Sequence, residues 1–316
     1  MPVWKYPKAM CSQASTSTGP FCFLWMMVRR SLFILPLLLP VFVGAQPLID
    51  LVGANVLVSE NLDRTELSAT LPLQLDTVGR LLVIDPYWVQ WRTITGGDRY
   101  VPVSVGEVNE TMQGAGGALT YVTPIGKRWK LAAAGIGRYH WLGAQQHGDI
   151  QYGGVLLASR VCKPTLTVRA GMYTNYDAFG LFVMPLVGVD WRIDAKTNLY
   201  GVLPGSMNFE RKSTRWFHWG LSFRAYTSSF GVRDGDYRRI NENPLGLYGD
   251  VYITRNIVLR AEGGWCFIRQ VLGGPGDPLY ANSESHLRRY ADHAIADAPY
   301  ARILLAYRLR LDAERP

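Results

Sequence analysis

The sequence feature that most constrains the fold is an alternation of apolar and polar residues over unusually long segments. In RWKLAAAGIGRYHWL, Trp129 and Tyr139 fall on one face of an extended chain, while Lys130 and Arg138 fall on the other. A period of two is typical of a β-strand with one apolar and one polar face. The pattern predicts strands at 49–59, 66–75, 80–92, 113–123, 128–141, 150–161, 164–174, 181–193, 216–228, 243–253, 256–270 and 299–311.

The length of these strands indicates their surroundings. They run for about 10 to 14 residues, whereas strands of soluble proteins usually run for five or six. About ten residues tilted by roughly 40° cross the hydrocarbon core of a bilayer. Trp129 and Trp141 lie twelve residues apart, about 30 Å after tilt, which is close to the spacing of the two aromatic girdles of a membrane barrel. Aromatic packing in a large soluble sandwich is the alternative.

The predicted connections alternate between short and long. Short turns are predicted at Asp76–Gly79, Pro124–Lys127, Cys162–Pro164, Asp194–Asn198 and Thr254–Asn256. Longer loops are predicted at Thr93–Met112, Leu142–Asp149, Asn175–Gly180, Ser229–Asn243 and Leu272–Ala298. Outer-membrane barrels connect their strands by tight periplasmic turns and longer extracellular loops.

These observations predict an all-β fold, a transmembrane antiparallel up-and-down β-barrel of about twelve strands. A weaker pair of segments, NLYGVLP (198–204) and MNFERK (207–212), gives fourteen strands as the alternative. Both counts are even, so both termini are expected on the periplasmic side.

The start of the chain predicts export. In MVRRSLFILPLLLPVFVGAQ (27–46), two arginines precede a short apolar run, and small residues follow it. This is the organisation of a cleaved secretory signal, with an uncleaved anchor as the alternative. We therefore expect residues 1–45 to be an N-terminal extension plus signal peptide, residues 46–316 to be a single barrel domain, and the bacterial outer membrane to be its location.

Composition excludes several other classes of protein. The formal net charge is +8, but the basic residues after the signal are spread singly, so no nucleic-acid partner is expected. No later stretch reaches the eighteen or so consecutive apolar residues of a membrane helix. Cys162 and Cys266 lack CxxC spacing, His286 and His293 lack metal-ligand spacing, and no phosphate-binding loop occurs. The sequence predicts no cofactor and no metal.

One segment resembles a known family. YTNYDAFGLFVMPLVGVDWRIDAKTNLYGVLPG (173–205) has a Phe-Gly turn before a Pro-Leu-x-Gly strand, followed by Trp191 to Asp194 and then by Leu203-Pro204. In these features it resembles uncharacterised outer-membrane β-barrel proteins of Gram-negative bacteria, known only as a domain of unknown function. The resemblance implies a barrel fold and an outer-membrane location. It implies no catalytic or ligand-binding residues.

The polar strand faces supply the candidate lumen. The residues expected to line it are Lys130, Arg138, His140, Arg169, Asp190, Arg192, His218, Arg224, Asp250, Arg260, Glu262, Arg302 and Arg308. Eight are basic and three are acidic. An open lumen of this composition would favour small anions. A narrow lumen would instead be filled by a ladder of paired arginines and acids, and this second interpretation is preferred.

Three functional hypotheses follow. The first is a small-solute channel or transport barrel that prefers anions, and the second is a non-conducting structural or surface-binding barrel that acts through its extracellular loops. The third, an outer-membrane lipid hydrolase, is disfavoured because His218 and Ser222 are four residues apart, about 13 Å along a strand. No enzymatic activity is predicted. The expected partners are outer-membrane lipid, small anionic solutes for a channel, and periplasmic chaperones and the barrel-insertion machinery during biogenesis.

Overall fold

A computed structural model describes residues 47–93, 111–143, 148–231, 236–275 and 296–311. The predicted extension and signal peptide, the histidines His286 and His293, and most of the predicted loop Thr93–Met112 lie outside the described residues.

The described residues are almost entirely β-strand, as the alternation predicts. The segments are β1 (Leu48–Ser59), β2 (Leu62–Ala69), β3 (Leu71–Gln74), β4 (Leu81–Thr93), β5 (Thr111–Pro124), β6 (Trp129–Leu142), β7 (Asp149–Lys163), β8 (Leu166–Asp177), β9 (Gly180–Arg192), β10 (Thr197–Leu203), β11 (Ser206–Lys212), β12 (Phe217–Arg224), β13 (Tyr226–Gly231), β14 (Asp236–Tyr252), β15 (Ile257–Pro275) and β16 (Ala298–Arg310).

The strands form one closed antiparallel sheet. Neighbours in the chain are neighbours in the sheet, and β16 pairs with β1 to close the ring. Two wall strands are interrupted, because β2 and β3 both pair with β4, and β12 and β13 both pair with β14. Sixteen segments with two such interruptions give fourteen wall strands. The count of about twelve is therefore wrong and the alternative of fourteen is correct. The additional strands, β10 and β11, have only seven residues each, which is why their alternation is weak.

Both described ends of the chain lie at the same end of the barrel, here called the terminal end. Its connections are short, with residues 75–80, 125–128, 164–165, 193–196, 213–216 and 253–256 between the strands.

The turn at Asp76 shows how side chains fix these connections. The Asp76 carboxylate accepts hydrogen bonds of 3.0 Å from the backbone N–H groups of Val78, Gly79 and Arg80. These donors, that of Arg80 first, hold the pKa of the Asp76 carboxyl below its usual range. Gly79 has a φ of 99°, a conformation that glycine adopts without strain.

The opposite end departs from the predicted loops. At Asn175–Gly180 the prediction of a longer loop is wrong, because β8 and β9 leave only residues 178 and 179 between them. At Ser229–Asn243 most of the predicted loop is strand, since β13 extends to Gly231 and β14 begins at Asp236.

The outer face of the barrel is apolar. Val187, Leu247 and Ile303 are 65%, 61% and 60% exposed, respectively. Trp129 begins β6 and Trp141 lies one residue before its end, both on the outward face. The outer wall therefore presents an apolar band between aromatic side chains.

Candidate functional site

All thirteen residues expected to line the lumen have inward parity in the strand register. Twelve of them are buried or half-buried inside the barrel. The exception is Arg192, the last residue of β9, which is exposed at the terminal end.

Asp250 is the centre of the densest charge cluster. Its two carboxylate oxygens accept bonds of 2.6 and 2.8 Å from Nε and Nη2 of Arg260 on the neighbouring strand β15. Arg308 donates to Asp250 at 2.6 Å and also holds Asp50 through Nε and Nη2 at 2.5 and 2.9 Å. The Arg260 guanidinium also lies 3.7 Å from the ring centroid of Tyr248. Each charge is thus compensated by at least one partner of opposite sign, as buried charges require.

A second cluster surrounds Glu210, which is fully buried. Arg310 binds both carboxylate oxygens, at 2.8 and 2.9 Å, and its Nη1 also lies 2.9 Å from Nδ1 of His218. Asn198 donates to Glu210 at 3.0 Å. Asn198 and Glu210 are on β10 and β11, the two strands that the count of about twelve omits, so the sequence missed this acid.

Glu262 organises a third cluster. Ser222 and Tyr300 donate their hydroxyls to Oε1 at 2.7 and 2.6 Å, and Arg302 donates to Oε2 at 3.3 Å. The Ser222 hydroxyl therefore points to an acid on β15 rather than to His218. The described contacts of Ser222 and His218 assign both to charge clusters, and their geometry does not form a nucleophile–base pair.

These pairings alter the expected charge of the lumen. Five further inward acids have an arginine partner: Asp50 with Arg308, Glu66 with Arg64, Asp177 with Arg138, Glu210 with Arg310, and Glu242 with Arg269. Asp85 on β4 and Asp149 on β7 also have inward parity, and among the described contacts neither has an arginine partner. The set of eight basic and three acidic residues predicted from the sequence therefore contains too few of the acids that face the lumen. Apart from Arg64 and Glu66, which share β2, the partners lie on different strands. The neighbours Asp190 and Arg192, and Arg260 and Glu262, do not pair with one another.

Sequence reasoning missed most of these acids for identifiable reasons. Asp50 precedes an irregularity in the β1 register, between Asp50 and Val52, that shifts the alternation. Asp177 and Glu242 fall within predicted loops that are strand in the structure. The cross-strand partners could have been found only with the correct register, since residues far apart in sequence meet there.

We call the inward side chains of these clusters the ion-pair wall. It comprises Asp50, Glu210, Asp250 and Glu262 with their arginine partners Arg308, Arg310, Arg260 and Arg302.

The lumen face opposite the ion-pair wall differs in composition. Its central part, here called the apolar wall, consists of Val83, Ala118, Thr120, Ala132, Ala134, Ile136, Val155 and Leu157. Every one of these side chains is half-buried rather than buried. Lys130 and the ion pair Arg169–Asp190 lie toward the terminal end of this side, and Arg138 lies toward the other end. One carboxylate, Asp85 on β4, lies in the central part, in register with Ala118, and its side chain is hydrogen-bonded to Thr70. Arg138 donates to the Tyr173 hydroxyl at 2.9 Å and lies 3.7 Å from Asp177.

The segment β13 crosses the lumen near the end opposite the termini. Beyond Arg224 the neighbouring strand β11 has ended, so β13 pairs only with β14 and contacts β6. The strand β13 follows β12 and pairs with β14. Counted around the ring of fourteen strands, β6 is six strands from β12 one way and seven strands from β14 the other way, so β6 lies on the opposite side of the barrel. The contact therefore spans the full width of the lumen.

Ser229 fastens β13 to the far wall. Its carbonyl oxygen accepts hydrogen bonds from Nδ1 of His140 at 2.7 Å and Nε2 of Gln151 at 2.8 Å. Its hydroxyl oxygen accepts bonds from Gln151 at 3.1 Å and from the backbone N–H of Ala178 at 3.2 Å. The His140 ring lies so close to Gly114 that a Cβ there would be 2.2 Å from the ring Cδ2. Sequence reasoning missed Ser229 because it marks the start of a predicted loop.

Apolar side chains are buried around this crossing segment. Phe230 of β13 belongs to a buried cluster with Leu62, Val89, Trp91, Met112, Leu142 and Ile240. Phe179 follows Ala178, whose backbone N–H binds Ser229, and packs against Tyr237 of β14. Near this end the lumen is filled like the core of a soluble protein.

No metal-binding cluster of histidine, cysteine, aspartate or glutamate occurs among the described residues. Cys162 is exposed, Cys266 is buried, and both are free thiols. Within the described part of the chain, no helix is long and apolar enough to cross a membrane.

Comparison with protein families identifies the class of the chain. Residues 105–275 match the family model described as "Domain of unknown function (DUF6268)". The match covers more than half of the chain, so this protein belongs to that family. No curated protein matches it.

Several solved structures show distant likeness. The NanC porin is 11% identical with a TM-score of 0.39, over 82% of this chain and 98% of the porin. The ferric enterobactin receptor (PfeA) of Pseudomonas aeruginosa is 9% identical with a TM-score of 0.28, over 78% of this chain and 62% of the receptor. A mutant of the Rh. blastica porin is 6% identical with a TM-score of 0.25, over 83% of this chain and 99% of the porin. The barrel assignment rests on the strand pairings of this chain.

Proposed function

We propose that this protein is an outer-membrane β-barrel with a closed lumen, a non-conducting barrel of Gram-negative bacteria. The apolar outer face supports a lipid partner, because a closed sheet leaves no backbone group unpaired in hydrocarbon. The signal peptide predicted for residues 1–45 would bring the chain to the periplasm, where chaperones and the barrel-insertion machinery would act on it.

The observation that carries this proposal is the path of β13 across the lumen. A segment anchored to the far wall by Ser229, among buried apolar side chains, is expected to block an aqueous path at this level of the described barrel. Solute passage would require these contacts to open. The structure thus favours the non-conducting alternative over a small-solute channel.

The charge pattern supports the same choice. An anion-selective pore needs basic side chains that are free to meet a passing solute. The arginines of the ion-pair wall are instead held by carboxylates, with Arg260 only 2% exposed and Arg308 only 1% exposed. An anion would have to displace a carboxylate that is already in place. A role in surface binding through the connections opposite the terminal end agrees with a closed lumen.

The proposal is tested by reconstitution. The mature protein, refolded in detergent, should migrate faster on cold gels before boiling than after, as membrane barrels do. Liposomes containing it should retain small anionic and neutral solutes as well as protein-free liposomes do. Rapid, protein-dependent solute leakage from such liposomes would overturn the closed lumen. A detergent-independent soluble monomer would overturn the membrane assignment.

A further inference from the structure

The apolar wall faces open space inside the barrel. Its inward side chains keep accessible surface, whereas six of the eight side chains of the ion-pair wall are buried, all except Asp50 and Arg310. Ala132, Ala134 and Val155 are short, so they do not reach across a fourteen-stranded barrel, which is much wider than the eight-stranded barrels that side chains just fill. We call the resulting space, between the apolar wall and the ion-pair wall, the vestibule.

The vestibule is blind. Toward the end opposite the termini it meets β13 and the buried cluster around Trp91 and Phe230. It can therefore exchange contents only through the terminal end, which the predicted orientation places in the periplasm. The ligand site proposed below depends on the proposed closed lumen only for this single route of entry.

Not every cation near the terminal end of the vestibule has a carboxylate partner. Arg169 is paired with Asp190, but Lys130 has no carboxylate partner among the described residues. Lys130, Ser159 and Arg169 lie in one row across β6, β7 and β8, which places the two cations about 10 Å apart. A half-buried lysine without a carboxylate partner, beside an apolar space, favours a ligand with one negative charge.

The depth of the vestibule suggests the rest of the ligand. Lys130 and Arg138 bracket the apolar part of β6 and are eight residues apart, so they are separated by about 20 Å along the barrel axis after tilt. One leaflet of a bilayer has a hydrocarbon depth of about 15 Å. A single acyl chain therefore fits lengthwise between the two charges.

We propose that the vestibule binds a single-chain anionic amphiphile, with its acyl chain along the β6 and β7 part of the apolar wall, which is two strands from Asp85, and its negatively charged head at Lys130. A long-chain carboxylate has this chemistry. A lysophospholipid also combines one acyl chain with a negatively charged head, a phosphate, and the test below distinguishes the two.

The test uses the full mature chain in nanodiscs of zwitterionic lipid and a sixteen-carbon fatty acid with a photoreactive group near its tail. After illumination, cross-linked peptides are located by mass spectrometry. We expect cross-links to inward residues of β6 and β7, such as Ala134 and Val155, and their loss on addition of unlabelled fatty acid. Competition by lysophosphatidylglycerol that is stronger than competition by the fatty acid would assign the phosphate head instead. Cross-links confined to outward residues would overturn the site.

Matched variants separate the vestibule from the lipid surface. Ala134→Trp fills the vestibule and should abolish the inward cross-links, whereas Ala133→Trp on the outer face of the same strand should leave them unchanged. If Ala134→Trp fails to give a heat-modifiable barrel, Ala132→Phe serves the same purpose. Equal cross-linking in the filled and control variants would contradict the proposal.

The head group is tested with Lys130→Gln. Loss of a charge-assisted hydrogen bond should weaken binding of the fatty acid about tenfold and leave binding of the corresponding fatty alcohol unchanged. Equal binding of acid and alcohol to the unaltered protein would overturn the anionic head. Solute leakage with intact inward cross-links would overturn the closed lumen and keep the ligand site, so the two proposals fail separately.

Discussion

The two walls of the lumen differ in their residues and in how far their side chains fill the space inside the barrel. The ion-pair wall is built of long charged side chains that reach neighbouring strands and bury one another, as at Asp250 with Arg260 and Arg308. The apolar wall is built of short side chains such as Ala132 and Ala134, which leave accessible surface behind. The strand alternation is the same on both sides, so side-chain length and charge decide whether the lumen is filled.

This difference has an energetic consequence. On the ion-pair wall, the loss of one partner leaves a buried charge without compensation, which is more costly than the loss of ordinary packing. On the apolar wall there is room, so small changes of volume should be tolerated. The following predictions test this contrast, beginning with the largest expected effect.

The largest effect is expected for Asp250→Ala. This change leaves Arg260 without its described carboxylate partner and removes one of the two carboxylates of Arg308, and we expect a loss of about 3–5 kcal/mol in the free energy of unfolding. The measurement is urea-induced unfolding in lipid vesicles, followed by tryptophan fluorescence.

The control is Asp190→Ala on the other side of the lumen. Asp190 has one described partner, Arg169, whose side chain is 14% exposed, so we expect a smaller loss of about 1–3 kcal/mol. Equal losses for the two variants would contradict the contrast between the walls.

A pair of enlargements gives the next largest difference. Ala306→Leu adds volume within a packed cluster with Tyr252, Val258 and Leu304 and should cost about 1–3 kcal/mol. Ala134→Leu adds the same volume on the apolar wall and should cost less than about 1 kcal/mol, because the added atoms enter open space. Both alanines face inwards, so unfolding midpoints compare them directly. A larger cost at Ala134 would mean that the vestibule is filled.

Ser229→Ala should loosen the crossing segment. The change removes the hydroxyl that Gln151 and Ala178 bind but keeps the carbonyl bonds, and we expect a loss of about 1–2 kcal/mol. Amide hydrogen exchange in β13 should accelerate, while exchange in β8 and β9 away from the contact should not. Thr227→Ala is the control, because the described hydrogen bond of the Thr227 hydroxyl goes to Asn241 on the paired strand β14 and not to the far wall. Unchanged exchange in β13 would show that Ser229 is not an anchor.

The smallest effect is expected at the terminal end. The folded-state pKa of Asp76 is lowered, so its contribution to stability is present above the ordinary carboxyl pKa and is lost as pH falls through the lowered value. Asp76→Ala should therefore lower the unfolding midpoint slightly at pH 7 and have less effect at pH 3. A deficit that stays constant with pH would exclude the carboxylate as the cause.

Much of the barrel could be predicted from the sequence, because alternation and aromatic spacing are local. Trp129 and Trp141 mark the ends of β6 in both the sequence and the structure. The parity of Arg260 and Glu262 likewise places them on the inner face.

The contents of the lumen could not be predicted, because they depend on partners distant in the chain. Arg260 pairs with Asp250 rather than with Glu262, and register decides this. The crossing of β13 arises because β10 and β11 are short and leave one edge of β13 without a neighbour. The alternation of apolar and polar residues does not reveal that a strand lacks a neighbour in the sheet.

The closed lumen is tested most directly by single-channel recording in planar bilayers. A matched variant replaces residues 227–241 by Asn-Gly, a two-residue turn between the register partners Tyr226 and Glu242, which removes the crossing segment. We expect no conductance steps from the unaltered protein and defined steps from the variant. Stable steps of similar size from both proteins would contradict the closed lumen.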